Sequence, residues 1–327
     1  MKKLSMLLLV VMMAVIAAAC SSGNGASSGA APAVSPAASP ASSPAANGEL
    51  TFKHQLGEAK VKKNPKKVVA FDFGALDTLD KLGIEVTGVP QKNVPEYLAK
   101  YKDAKYQNVG SLQEPDYEKL SNIQPDVIFI SGRQSAAYAE LSKLAPTIYI
   151  GVDTKDYLNS FKTNMNMIGQ MFSKEAAVDA ELAKIDTTIN SVKTKAANGK
   201  NGLVILANDG AISAYGPGSR FGIIHDVLGV PAVDKSIEVS THGQSISFEY
   251  IAEKNPDYLF VVDRGAAVGG TASEAAKRIV ENELVKETNA FKNNHIVYLD
   301  PGYWYLSGGG LISTGEMINQ VDKGYNN

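Results

Sequence analysis

Cysteine is almost absent: Cys20 is the only one in 327 residues. That excludes a disulfide framework, a cysteine zinc site and an iron–sulfur cluster. It also leaves the folded part without a cysteine nucleophile. Histidine is scarce. His54, His225, His242 and His295 are scattered, with no i, i+4 pair and no HExxH. No metal site built from the protein's own ligands is expected. There is no P-loop, no GxGxxG after a strand and no GxSxG elbow. The formal net charge of −2 lacks the basic excess of a nucleic-acid binder. No apolar run after residue 20 reaches the roughly 18 residues of a spanning helix. No cofactor is expected.

What the chain does have begins at its N-terminus. Lys2 and Lys3 precede an apolar run, Leu4 to Ala19, closed by the small residues Ala17-Ala18-Ala19 before Cys20. This reads as a signal peptide over 1–19. The cleavage region resembles the lipobox of bacterial lipoproteins, in which the cysteine is lipidated, although Ala17 stands where that pattern usually has Leu. Ser21 to Gly48 is nearly all Ala, Ser, Pro and Gly, with Pro32, Pro36, Pro40 and Pro44 at every fourth position. Nothing there can offset ordering by burial, so 20–48 reads as a lipidated cysteine plus a disordered tether. Its end-to-end reach is on the order of 30 Å. An anchor and tether imply a domain working near a membrane surface.

The remainder alternates strand and helix signals, which argues for α/β architecture. Val68 to Phe71 is an apolar strand run, followed by a helical pattern through Leu76, Leu79 and Leu82. QPDVIFISGR, 124–133, then matches NPDYLFVVDR, 255–264, at an offset of 131, and Glu118 matches Glu249 at the same offset. LDKLGI, 79–84, is similar to HDVLGV, 225–230. Two similar lobes follow from this register. Between them, Ala177, Val178, Leu182, Ile185, Ile189 and Val192 fall at helical spacing over Lys174 to about Ala197. Such a helix is roughly 36 Å long and can act as a rigid strut. The domain reading is an N-terminal lobe at 49–155, a connecting helical segment at 156–198 and a C-terminal lobe at 199–327.

Only four of the 32 basic residues are arginine. Arg133 and Arg264 end the two matched strands, and Arg220 follows a Gly-Pro-Gly turn. Ligands of open α/β sheets bind beyond the carboxyl ends of strands. Arginine suits planar oxygen anions, where lysine is a point charge. The three therefore mark a candidate anion cleft, against the alternative of three solvated surface groups. Arg278, in a helical run, reads as a surface arginine. Tyr303-Trp304-Tyr305 holds the only tryptophan and precedes Ser307-Gly308-Gly309-Gly310. Its rings suit stacking on a planar ligand, and the glycine run could expose backbone N–H groups. A core aromatic cluster is the competing reading. Lys92, Gln134, Tyr215, His242 and Gln244 are weaker candidates from neighbouring loops.

Lipobox, tether and two α/β lobes joined by one helix resemble the class III substrate-binding proteins of bacterial ABC importers. The stretches KKVVAFDFGALDTLDKLGI, QPDVIFISGRQS, GPGSRFGIIHDVLGV, STHGQSISFEYI, NPDYLFVVDRG and WYLSGGG are similar to the Gram-positive siderophore-binding lipoproteins of the petrobactin and catecholate group. The resemblance implies two Rossmann-like lobes joined by a single long backbone helix. It implies a ferric siderophore held by Arg133, Arg220, Arg264 and Lys92, and docking on an ABC permease through Glu118 and Glu249. It also implies a monomer anchored by lipid to the extracytoplasmic face of the cell membrane. The chelator would hold the iron, so the protein needs no metal ligands. Three alternatives stay open on the sequence. One is the same fold binding another anionic chelate or haem, with Tyr303, Tyr305 or His242 as axial ligand. The others are an extracellular α/β hydrolase and direct binding of a divalent metal.

Overall fold

The computed structural model describes residues 48–208, 210–269 and 274–326. The expected signal segment, Cys20 and all of the tether but Gly48 lie outside the described residues.

The chain first forms a hairpin, β1 (Glu49–His54) and β2 (Gly57–Lys62), paired antiparallel. The N-terminal lobe then supplies β3 (Val68–Ala70), β4 (Gly88–Val89), β5 (Gln107–Asn108), β6 (Val127–Ile130) and β7 (Thr147–Tyr149). They form one parallel sheet in the order β5-β4-β3-β6-β7. Every residue of β3 and β6 is buried, as expected for parallel strands covered on both faces.

The C-terminal lobe repeats the order with β8 (Gly202–Asn208), β9 (Ala211–Tyr215), β10 (Gln244–Ile246), β11 (Tyr258–Asp263) and β12 (Ile296–Leu299). Its sheet runs β10-β9-β8-β11-β12. Here β9 runs antiparallel to both its neighbours, β8 and β10, because it follows β8 as a hairpin instead of through a crossover helix. In both lobes the strand order reverses beside the first central strand. That leaves a crevice between β3 and β6, and another between β8 and β11, at their carboxyl ends.

The offset of 131 is structural. Helices Tyr117–Ile123 and Phe248–Lys254 are capped by the side chains of Asp116 and Ser247. They end on left-handed Gln124 and Asn255, at φ 52° and 44°. The aspartate of each Pro-Asp step then ties the start of one central strand to the start of the next. Asp126 Oδ2 accepts from Lys66 N and Lys67 N, both at 2.8 Å, and Asp257 Oδ2 accepts from Asn201 N at 3.0 Å.

The connection is two helices, Tyr157–Phe172 and Glu175–Ala196, broken at left-handed Ser173. The second buries Val178, Leu182, Ile185, Ile189, Val192 and Ala196 along one face, while Ala177 is exposed. At 22 residues it spans about 33 Å. The C-terminal helix Leu311–Gly324 packs both on it and on helix Phe73–Lys81 of the N-terminal lobe. Asp322 accepts from Ser191 Oγ at 3.2 Å and Lys195 Nζ at 2.8 Å. The last helix thus meets both lobes: besides helix Phe73–Lys81 it packs on β12, with Gly324 against Val297. A Cβ on Gly74 would overlap the Ser307 carbonyl, and one on Gly310 would overlap Asp77, so glycine permits this close approach.

Candidate functional site

Arg133 lies in the turn Gly132–Ala137 just beyond β6, and Arg264 directly follows β11. Each therefore stands at the crevice of its lobe. Arg220 follows β9, after a turn in which Gly218, at φ 72°, donates its N–H to Asp226 Oδ2. All three arginines are half-buried, and all three meet Tyr305.

Arg133 Nη2 donates to the Tyr305 carbonyl at 2.7 Å. Arg220 Nη2 donates to the same oxygen, and its guanidinium lies 4.3 Å from the centre of the Tyr305 ring. Arg264 Nε donates to the Tyr305 hydroxyl at 3.0 Å, while its Nη1 donates to Asn208 Oδ1 at 2.9 Å. Burial alone pushes the Tyr305 phenol up. The Arg264 hydrogen bond and the charges of Arg220, Arg264 and Arg133 outweigh it and hold the phenol below its ordinary value. Burial, with the like charge of Arg133, lowers Arg220 from its own ordinary value. A guanidinium has enough range to stay protonated there.

A cavity of about 290 Å³ opens between the lobes over this cluster. Arg133, Arg220 and Tyr305 line it together with Asp72, Tyr149, Tyr157 and Thr241. Arg264 stands outside the lining and reaches the cavity through Tyr305. Asp72 caps helix Phe73–Lys81, its Oδ1 accepting from Ala75 N at 2.8 Å. Burial pushes its carboxyl up, opposed by Ser131, Ala75 N and the Arg133 charge.

The aromatic triplet sits on a π-helical turn, Gly302–Ser307, not on a strand. Trp304 lines the cavity floor but offers no open face. It is 2% exposed, packs against Phe221 and donates its indole N–H to Gln320 Oε1 at 3.1 Å. Tyr303 turns aside to Tyr97, with ring centres 4.4 Å apart. Of the glycine run, Gly308 lines the cavity, while Gly310 donates its N–H to Ser313 Oγ at 3.1 Å. Asp77, wholly buried, accepts from Ile312 N at 3.1 Å and Ser313 N at 3.0 Å, and Thr78 Oγ1 accepts from Leu311 N. Burial pushes the Asp77 carboxyl up to about 7 despite bonds from Ser313, Ile312 and Tyr97.

The weaker candidates separate. Gln134 is buried and serves its own turn, accepting from Ser131 N and donating to the Leu112 carbonyl. Tyr215 is buried beneath Arg220 against Phe221, with ring centres 4.7 Å apart. Gln244 accepts from Glu238 N and so fixes the 238–244 loop. His242 is exposed beside the cavity residue Thr241. Lys92 lies in a separate groove with Ser111, Leu112, Gln113 and Glu114, which Gln134 links to the Arg133 turn. Arg278 is exposed on helix Glu274–Val280. Glu118 and Glu249 are exposed in the first turns of their matched helices. Among the described residues, no three His, Cys, Asp or Glu side chains are grouped as metal ligands. Asp72 and Tyr149 escaped the sequence reading, although both lie at carboxyl ends of parallel strands, where the crevice rule points.

A profile of the periplasmic binding proteins matches residues 68–303. The petrobactin-binding protein YclQ of Bacillus subtilis is 58% identical over 281 residues, covering 84% of this chain and 88% of its own. The crystal structure of YclQ superposes with a TM-score of 0.82, covering 85% of this chain and 99% of that one. The catecholate-siderophore binding protein VctP of Vibrio cholerae is 36% identical, with a TM-score of 0.80 over 84% and 99% of the two chains.

Proposed function

The chain belongs to the periplasmic binding protein family, with the class III fold, and we propose that it captures an anionic ferric siderophore of the petrobactin or related catecholate type. It is a binding protein and not an enzyme, which sets aside the hydrolase alternative.

One observation carries the ligand class: Arg133 and Arg220, from opposite lobes, share the Tyr305 carbonyl at the wall of the cavity. A ferric catecholate carries negative charge on oxygen and has aromatic rings. Guanidinium groups meet the oxygens and are suited to them by geometry. Tyr149 and Tyr305 offer ring surface in the same cavity. Iron arrives inside the chelator, as cargo.

In this reading Cys20 carries the lipid, 20–48 is the tether, and the protein works as a monomer at the extracytoplasmic face. Glu118 and Glu249 dock one lobe each on the ABC permease, and Lys92 adds a cation in the neighbouring groove. Native mass spectrometry with ferric petrobactin and with the neutral hydroxamate chelate ferrichrome tests it. A one-to-one complex with the first and little with the second is expected. Equal occupancy by both contradicts it.

A further inference from the structure

Lys60, Lys62, Lys63, Lys66 and Lys67 stand within eight residues, and all five are exposed. Strand β2 turns Ala59 and Val61 inward, so Lys60 and Lys62 share the outer face. None of the five forms an ion pair among the described residues. Lys67 Nζ donates to the Ile123 carbonyl, which leaves its charge uncompensated. Three carboxylates adjoin the group. Glu58 shares the outer face of β2 with Lys60 and Lys62. Glu49 pairs with Lys62 across the hairpin. Asp126 is held below its ordinary value by the backbone N–H groups of Lys67 and Lys66 and by the Lys67 and Lys62 charges. The patch is thus positive on a chain of net charge −2.

Its place in the fold is specific. Lys66 and Lys67 precede β3, and Asp126 precedes the parallel β6, whereas Arg133 follows β6. Patch and cavity therefore lie at opposite ends of the N-terminal sheet, separated by at least the length of β6, about 13 Å. Glu118 sits at the far end of helix Tyr117–Ile123 from Gln124, which adjoins Asp126. The Gly48 carbonyl accepts the Lys63 N–H at 2.9 Å. The segment leading from Cys20 thus joins the fold within the patch.

We infer that these five lysines rest on an anionic phospholipid bilayer whenever the protein is not docked, with the siderophore cavity turned away from the membrane. The inference builds on the lipid-anchored reading. Lysines act on lipid phosphate as point charges, over a range of about one Debye length, roughly 8 Å at physiological salt. A tether reaching on the order of 30 Å holds the patch close yet allows the protein to turn over and dock. The resting orientation leaves the cavity open to incoming chelate.

The test uses the full lipidated protein on vesicles of phosphatidylcholine alone or mixed with phosphatidylglycerol. Amine-reactive labelling of each lysine is read by mass spectrometry. Labelling of Lys60 to Lys67 should fall about three-fold or more on the phosphatidylglycerol vesicles and recover at high salt. Lys184, exposed on the connecting helix Glu175–Ala196, should not change. Lys62→Gln with Lys63→Gln and Lys66→Gln should abolish the protection of Lys60 and Lys67 while ferric siderophore binding persists. Equal labelling on both vesicles overturns the inference. So does protection by added polyphosphate but not by phosphatidylglycerol, which would assign the patch to a soluble polyanion. Loss of the protein from phosphatidylcholine vesicles alone overturns only the anchor, and loss from both overturns the patch as well.

Discussion

Arg220 holds Tyr305 twice, stacking 4.3 Å over its ring while donating to its backbone carbonyl. Arg133 reaches that carbonyl from the other lobe, at 2.7 Å. Two guanidinium groups on one oxygen are no more than about 5 Å apart at their nitrogens, and unit charges at that range repel by roughly 3 kcal/mol at an effective dielectric near 20. The carbonyl and the π face of Tyr305 hold this repulsion in place. An anion entering the cavity converts it into attraction, so the site is set for negative charge before the ligand arrives.

Truncating the arginines should therefore weaken ferric siderophore binding unequally from a surface control. Losing one partner of a desolvated charge pair costs about 2–5 kcal/mol. Arg133→Ala, Arg220→Ala and Arg264→Ala are each expected to lower affinity about ten-fold or more, with Arg278→Ala unchanged. Isothermal titration calorimetry on the four variants measures this; similar losses in all four would place the site elsewhere.

Tyr305 gives a spectroscopic handle. Its phenol lies below the ordinary tyrosine value, because Arg264 bonds it and three guanidinium charges surround it. Its ionisation stabilises the fold at pH above the unfolded phenol's range, and that contribution is lost as pH falls through the lowered folded value. Alkaline difference absorbance should show one tyrosine ionising ahead of the rest, a step missing in Tyr305→Phe. The same variant keeps the carbonyl for Arg133 and Arg220, so its loss of affinity should be smaller than that of Arg220→Ala.

Asp77 makes a prediction about pH and stability. Its carboxyl rises from 3.8 to about 7 on folding, because burial outweighs its hydrogen bonds. Between about 4 and 7 the folded chain keeps a proton that the unfolded chain has released. Stability from this group is thus present at low pH and falls as pH rises through that window, levelling above about 7. Asp77→Asn should flatten the fall in Tm over pH 4 to 7, whatever its effect on Tm itself. An unchanged slope would show that another group titrates there.

These sites differ in how readable they were. Arg133 and Arg264 declared themselves because each ends a buried apolar strand in a repeated frame, and strand ends are local in sequence. Asp77 was silent because its partners, Ile312 and Ser313, lie 235 and 236 residues away. That carboxylate takes N–H groups just beyond the glycine run, at the start of helix Leu311–Gly324, whereas Gly310 N bonds Ser313 Oγ. For Tyr303-Trp304-Tyr305 the residue types fit ligand stacking and a core cluster alike; only the π-helical turn, which no local pattern announces, places Trp304 inward. Hairpin β1–β2 escaped because each strand offers only two inward apolar residues, Leu50 and Phe52 or Ala59 and Val61, too short an alternation to stand out. Gln134 looked like a ligand group beside Arg133, but a Gln three residues after Ser131 is also a capping partner.

Docking should separate from binding. Glu118 and Glu249 are exposed, one per lobe, away from the cavity lining. Rim charges set encounter rate and register more than affinity for a small ligand. Glu118→Ala with Glu249→Ala should leave siderophore affinity intact and reduce iron-chelate uptake in cells that depend on this importer. Wild-type uptake by the double variant would reject the docking role.

Trp304, the only tryptophan, forms part of the cavity floor, one residue from Tyr305. Its fluorescence therefore reports occupancy directly. Titration with ferric petrobactin should quench it saturably, with affinity at least about ten-fold greater than for neutral ferrichrome, and Arg220→Ala should erase that preference. Equal quenching by the charged and neutral chelates, or a preference that survives Arg220→Ala, would contradict recognition through the arginines gathered on Tyr305.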